Sequence, residues 1–254
     1  SFHLVNILLH ALCSVLVAQL SWRLVKSVAM AVVAGALFAV HPIHTEVVAN
    51  VVGRAELLAA LWSLLALLVF LPPDFQNSPL NIRRHWSHGI LVAMCFLLAI
   101  LSKETPAALL LAFPAIDFIR WHHVDPATRP SRAWRWWLGR ALVYYLPMWV
   151  AFGLYLCARV YAVGLMTDPQ YISPIVNPLL AATPGQRIVT PFLLLAKYVL
   201  LFAWPQVLVA DYSAPSIMPT ANPFAPMALL GELLMLLGLL LMMVWWRRRP
   251  ALVL

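Results

Sequence analysis

An all-α bundle of membrane-spanning helices is the fold that this sequence predicts, on three observations. Hydrophobic residues make up 63% of the chain and charged residues 10%, where a soluble domain carries about 25% charged, and the mean hydropathy is +0.87. The apolar residues fall into eight runs, several of them long enough, at about 1.5 Å per residue, to cross a hydrocarbon core of roughly 30 Å. The cations lie in the short links between the runs and not across one polar face. That placement speaks for membrane orientation and against a nucleic-acid partner, despite a formal net charge of +8.

The first run, residues 4–22, belongs to a helix carrying His3, Asn6, His10 and Ser14 at i, i+3, i+7 and i+11, a polar stripe on an otherwise apolar surface. Such a stripe faces other helices, and interhelical hydrogen bonding accounts for it; a chemical role for His3 or His10 is the alternative. The second run, residues 28–40, ends before Pro42, through which a regular helix does not continue. The third is 55–71. With Thr45 as candidate N-cap, one helix over 46–71 is expected, about 39 Å long, its first turns standing in the outer interface. Residues 89–101 and 106–119 follow, short for full spans like 28–40, and all three are expected to extend into their polar ends or to tilt. The sixth run is 141–161. The seventh, 188–204, contains Lys197 and precedes a proline-rich stretch, so an irregular or re-entrant course is expected; the eighth is 227–246. Cys13, Cys95 and Cys157 lie inside runs, without disulfide or metal-ligand spacing, and are expected to be buried packing residues. Trp134, Trp136 and Trp137, and again Trp245 and Trp246, read as interfacial anchors.

Excess Lys and Arg mark cytoplasmic links. Arg23 and Lys26, Arg83 and Arg84, then Arg120, Arg129, Arg132, Arg135 and Arg140, then Arg247, Arg248 and Arg249 form groups that fit the cytoplasm. The links after residues 40, 101 and 161 are then external. Arg54, Lys103, Arg159, Arg187 and Lys197 are left over, unexplained by orientation. The scheme fails once, because simple alternation puts Arg247–Arg249 outside.

Polar residues concentrate in the external links. His41-Pro42-Ile43-His44-Thr45-Glu46 is the densest cluster, and on the expected helix Glu46, Asn50 and Arg54 stack at i, i+4 and i+8. This ladder is either an ion-pairing knot closing the bundle or the wall of a site. Two imidazoles and a carboxylate are zinc ligands by chemistry, but Pro42 breaks the helix that would set both imidazoles on one face, so no metal is assigned and a divalent ion stays open. Ser102-Lys103-Glu104-Thr105-Pro106 sets two charges in an apolar stretch. Lys103 and Glu104 either pair as a hairpin cap, or the ammonium holds an anionic headgroup such as a lipid phosphate.

The strings Phe2-His3-Leu4-Val5-Asn6-Ile7-Leu8-Leu9-His10, His41-Pro42-Ile43-His44-Thr45-Glu46, Val52-Gly53-Arg54-Ala55-Glu56-Leu57-Leu58-Ala59, Ser102-Lys103-Glu104 and Ala210-Asp211-Tyr212-Ser213 together resemble, in the same order, the transmembrane and tetratricopeptide-repeat O-mannosyltransferases and their bacterial relatives. The resemblance implies a C-type glycosyltransferase membrane core. It would move a sugar, mannose being expected, with inversion from a polyprenyl-phosphate donor to a Ser or Thr hydroxyl of an acceptor protein at the external face. In that family the presumed catalytic acid lies in a first external loop upstream of the segment matching residues 2–10, and tetratricopeptide repeats follow downstream. Residues 1–254 are therefore expected to be one partial membrane domain, an internal fragment inactive alone. The resemblance makes Glu46 a second acid with His41 and His44 beside it as catalytic candidates, and Lys103 and Arg54 the holders of the donor phosphate. Asn50, Glu56, Glu104, Asp211, Tyr212, His3 and His10 would line the cavity. The family usually continues Ser-Lys-Glu with glutamine or glycine, whereas this chain has Thr105-Pro106. A bacterial inner membrane is expected ahead of the endoplasmic reticulum. The rival classes are a secondary transporter, disfavoured by polar groups at one face and no half-repeat symmetry, and a non-catalytic scaffold for a repeat array.

Overall fold

The computed structural model describes residues 2–71, 86–123, 129–164, 179–205, 208 and 218–248. Their regular structure is helical throughout, and the chain divides into two compact units, Ser1–Tyr161 and Ala162–Val253. Asp211, Tyr212, Arg83, Arg84 and Arg249 lie outside the described residues, as do the side chains of Trp245, Trp246, Arg247 and Arg248.

The first unit opens with α1 (Phe2–Val25) and α2 (Val28–Val40). Between them Lys26 takes a left-handed conformation, φ 58°, the usual way to end a helix sharply, and its ammonium lies 4.7 Å over the Trp22 ring. Ser27 caps α2, its hydroxyl accepting from Met30 N. A 3-10 turn, Pro42–His44, leads to α3 (Thr45–Ala49), and α4 (Arg54–Phe70) follows after a break. The single helix expected over 46–71 does not form. Asn50 is extended at ψ 138°, its Oδ1 accepts from Val52 N at 3.1 Å, and Val48 O and Asn50 O accept from Asn6 Nδ2 of α1 at 3.2 and 2.9 Å. Gly53 completes the break, since an added Cβ would stand 2.1 Å from Val47 O. Thr45 is not an N-cap: its hydroxyl donates to Pro42 O at 2.7 Å.

Next come α5 (Trp86–Ser102), a 3-10 turn (Thr105–Ala108) and α6 (Leu109–His123). The final stretch joins α7 (Ala133–Arg140), a π-helical turn (Ala141–Tyr145) and α8 (Leu146–Val163). The core of the unit packs Phe70 flat on Phe113, ring centroids 4.4 Å apart, with Tyr144 edge-on to Phe70 at 5.2 Å. Val92, Phe96, Ile100 and Met148 are fully buried around them. Leu4, Leu8 and Val15 are instead 56%, 58% and 64% exposed, as suits side chains that face acyl chains and not water.

Each of the eight apolar runs is helical, but not each makes a full span. Among the described residues four stretches are long and apolar enough to cross a membrane: His3–Val25, Ala133–Ala162, Pro184–Ala203 and Pro226–Val244. Val28–Val40 with Pro42–Ala49, bent by 46°, makes a fifth. At 17 residues, α4 and α5 are each about 26 Å long, so the unit mixes full spans with shorter helices packed against them.

The end of this unit carrying Arg23 and Lys26 is fixed by buried charge. Asp117 of α6 accepts from Arg140 Nε and Nη2 at 2.6 and 2.9 Å and from the Tyr145 hydroxyl at 2.6 Å, and Arg120 Nη1 stands 3.7 Å away. The Arg140 guanidinium stacks 4.0 Å from the Tyr144 ring and 4.5 Å from Phe70. Arg120 and Arg140 are thus buried, not link residues displayed as orientation signals. Trp136 is also buried, at 2% exposure, and serves the core; Trp134, at 61%, keeps the exposure of an anchor. Cys13 and Cys95 are buried as expected, but Cys157 is exposed.

The second unit pairs α9 (Pro184–Ala203) with α10 (Pro226–Arg248). Of residues 188–204, expected to be irregular, 188–203 form part of a continuous helix that tolerates Pro191 and starts earlier, at a Thr183–Gln186 capping box. The chain then returns to the end where α9 began. Gln186 Nε2 donates to Pro219 O at 3.3 Å, Thr190 and Thr220 are bonded, and Ala221 packs on Gly185. α10 therefore starts beside the start of α9 and runs in the same direction. Gly231 allows the crossing, since an added Cβ would lie 1.8 Å from Phe192 O.

Candidate functional site

Most of the residues singled out from sequence meet at the opposite end of the first unit, where the first, third and fifth helical stretches begin and the second and fourth end. Asn6, 1% exposed, is its central pin. While its amide nitrogen holds Val48 O and Asn50 O, its Oδ1 accepts from Arg54 Nε at 3.3 Å. One asparagine thereby ties α1 to α3, to the break and to α4. The stripe on α1 does face other elements at Asn6 and at His10, whose Nε2 meets Ala39 O of α2 at 3.1 Å, while Ser14 Oγ donates back to His10 O within α1 at 2.8 Å.

The expected ladder is not one stack. Glu46 is exposed on α3, Asn50 stands in the break and Arg54 opens α4. Nor does Lys103 pair with Glu104. Lys103 bonds Glu56 of α4, and Glu104 bonds Arg159 of α8. Adjacent residues in the turn after α5 thus reach two different helices. The four side chains are 38–64% exposed, and pairs so exposed contribute about 0–1 kcal/mol each, so they order the rim more than they stabilise it. Arg159, left unexplained by orientation, was not singled out from sequence; its signal was its place on the side that the charge rule disfavours.

Beside this rim a cavity of about 420 Å³ lies among α1, the end of α2, the 3-10 turn and α3, with His3, His10, His41 and His44 in its wall together with Ile7 and Val48. The imidazoles are held by contacts of different kinds. His41 Nδ1 accepts from Ile43 N at 3.2 Å, which puts its hydrogen on Nε2. Ala39 O can only accept, so His10 carries hydrogen on Nε2, and its Nδ1 is buried with no hydrogen-bond partner among the described residues. The His44 ring lies 4.3 Å from Phe38, 5.1 Å from His10 and 6.1 Å from His41. Among the described residues no group of three or more His, Cys, Asp or Glu could hold a metal ion.

These features define a multi-pass helical membrane protein with ion-paired and imidazole-bearing residues gathered at one membrane face. Similar sequences are known. Over 118 residues, 46% of this chain, it is 44% identical to Protein O-mannosyl-transferase Tmtc1 of Drosophila melanogaster. It is 40% identical to Tmtc2 of the same fly over 119 residues, and 35% identical to mouse Protein O-mannosyl-transferase TMTC2 over 124 residues, 49% of the chain. The chain is thus similar to the TMTC proteins over about half of its own length. The aligned part corresponds to only 13% of the length of each fly protein and 15% of the mouse protein. No protein-family profile matches the chain, and no solved structure matches it.

Proposed function

We propose that the chain is part of a membrane O-mannosyltransferase that moves mannose from a polyprenyl-phosphate donor to a Ser or Thr hydroxyl of a protein at the non-cytoplasmic face, by an inverting C-type reaction. The observation that carries this reading is the meeting, at one end of the bundle, of Lys103, Glu56, Glu104, Arg159 and Arg54 beside the imidazole-lined cavity. Transfer of this kind needs cations against the departing phosphate and a base at the acceptor hydroxyl. Lys103, half-exposed at the rim, and Arg54 are the proposed phosphate holders. Glu46, exposed on α3, is the proposed second acid, with His41 and His44 beside it. Among the described residues the ion pairs gather at the two ends of the first unit and none clusters between them, which speaks for an enzyme over a transporter. The relatives named above are animal proteins and lend no support to a bacterial inner membrane.

The test uses the complete protein. With the pairs observed here, Glu56→Gln removes the partner of Lys103 but keeps its charge, whereas Lys103→Gln removes the charge. Lys103→Gln is expected to raise the donor concentration for half-maximal transfer about tenfold or more, one lost charge-assisted contact of about 1.5–3 kcal/mol, with membrane insertion unchanged. Glu56→Gln is expected to leave donor dependence near normal. Equal losses of folded yield in both, without a change in donor dependence, would reduce Lys103 to a structural tie.

A further inference from the structure

We propose that the cavity at this end seats a neutral, hydroxyl-bearing group, either a hexose or the side chain of a serine or threonine, while the phosphate of a donor is held outside it at the charged rim. The proposal rests on the transferase reading only for which hydroxyl compound arrives. Among the described residues the cavity wall contains no Lys, Arg, Asp or Glu. An anion placed there would lose its water with no counter-charge in return, whereas Lys103 and Arg54 stand outside the wall. A metal-borne ligand is disfavoured by the absence of a metal-holding group among the described residues.

What the wall does offer is suited to a hydroxyl. His44 is held by ring contacts with Phe38, His10 and His41, yet among the described residues its ring nitrogens make no hydrogen bond. A neutral imidazole has one donor and one acceptor nitrogen, and a hydroxyl both accepts and donates. His10 and His41 are anchored to backbone atoms, Ala39 O and Ile43 N, and so form fixed walls. Ile7 and Val48 supply apolar surface for C–H faces. The volume of about 420 Å³ falls within the roughly 300–1,000 Å³ of small-molecule sites.

The experiment uses the full chain in lipid nanodiscs and reads saturation-transfer NMR with two probes, methyl α-mannoside and N-acetyl-threonine amide. Binding of polyprenyl phosphate is followed separately. Three variants are compared: His44→Phe keeps a ring but removes the nitrogens, His44→Gln keeps a donor and an acceptor, and Val48→Trp fills the cavity. At least one probe is expected to bind, with its signal falling fivefold or more in His44→Phe and Val48→Trp, largely retained in His44→Gln, and polyprenyl-phosphate binding unchanged in all three. Loss confined to the mannoside makes the cavity a sugar seat; loss confined to the threonine amide makes it an acceptor seat. The proposal is overturned if neither probe binds, if binding survives both His44→Phe and Val48→Trp, or if phosphate binding is what these variants lose. Polyprenyl phosphate binding without either probe would sink the cavity proposal and leave the transferase reading standing. Probe binding through His44 without any polyprenyl-phosphate binding would do the reverse.

Discussion

Asp117 and Arg140 show what a single buried carboxylate does to its surroundings. Asp117 is fully buried and accepts two guanidinium hydrogen bonds and one phenol hydrogen bond, an arrangement that meets the cost of burying charge only while every partner is present. The π-helical turn Ala141–Tyr145 sets consecutive tyrosines to work, Tyr144 as a platform for Arg140 and Tyr145 as a donor to Asp117. Arg140→Ala would strand the carboxylate and is expected to destabilise the protein by about 3–5 kcal/mol, while a joint Asp117→Leu, Arg120→Met and Arg140→Met replacement, which leaves no buried charge of the cluster unpaired, should restore most of that loss. Thermal unfolding in one detergent, compared across both variants, checks this; equal losses would show that the charges themselves are needed for the fold. Little of this was legible in the sequence. Counting arginines by link assigns Arg120 and Arg140 to orientation, and the clue that outweighs the count is an aspartate three residues before Arg120 inside an apolar run.

At the scale of elements, the pattern of apolar runs carries over to helices with ends moved by a few residues, because a 3.6-residue period and a proline or glycine stop are local properties. The break between α3 and α4 is not local. Asn50 and Val48 give up helical bonding to an asparagine 42–44 residues earlier, and only Gly53, following two β-branched valines, marked the place in sequence. The rim pairs hide for the same reason, since Lys103 finds Glu56 across 47 residues while sequence reading sees first the glutamate next to it. What the charge rule did place together was the links: the turn at Thr45 and the turn at Lys103 share one end, with the Arg140 cluster at the other. Cysteines at Thr45 and Ser131, both exposed, should accordingly differ, with position 45 labelled by an impermeant thiol reagent from outside intact cells and position 131 only after permeabilisation. The opposite result would invert the orientation and every assignment made on it.

For the whole molecule, the second unit resolves the conflict that alternation creates. Because α10 starts where α9 starts, both helices cross in one direction. If α9 enters from the external side, the end of α10 at Arg248 falls on the cytoplasmic side, where the charge rule wants its arginines. No periodicity announces a parallel pair. Short loops make neighbours antiparallel, and the 22 residues between α9 and α10 were long enough to signal otherwise. Cysteines at Thr183 and Asn222, both exposed, should label from the same face of the membrane. Labelling from opposite faces would identify an ordinary hairpin and restore the conflict.

Arg23 gives the order of helices in the chain a meaning for biosynthesis. Its guanidinium, near the end of α1, donates to Leu68 O and Leu71 O at the close of α4, carbonyls that have no partner within their own helix. It is made 45 residues before Leu68. When the ribosome delivers α4, the donor for Leu68 O and Leu71 O has already been made. A chain begun downstream of α1 would lack the guanidinium that Leu68 O and Leu71 O accept from.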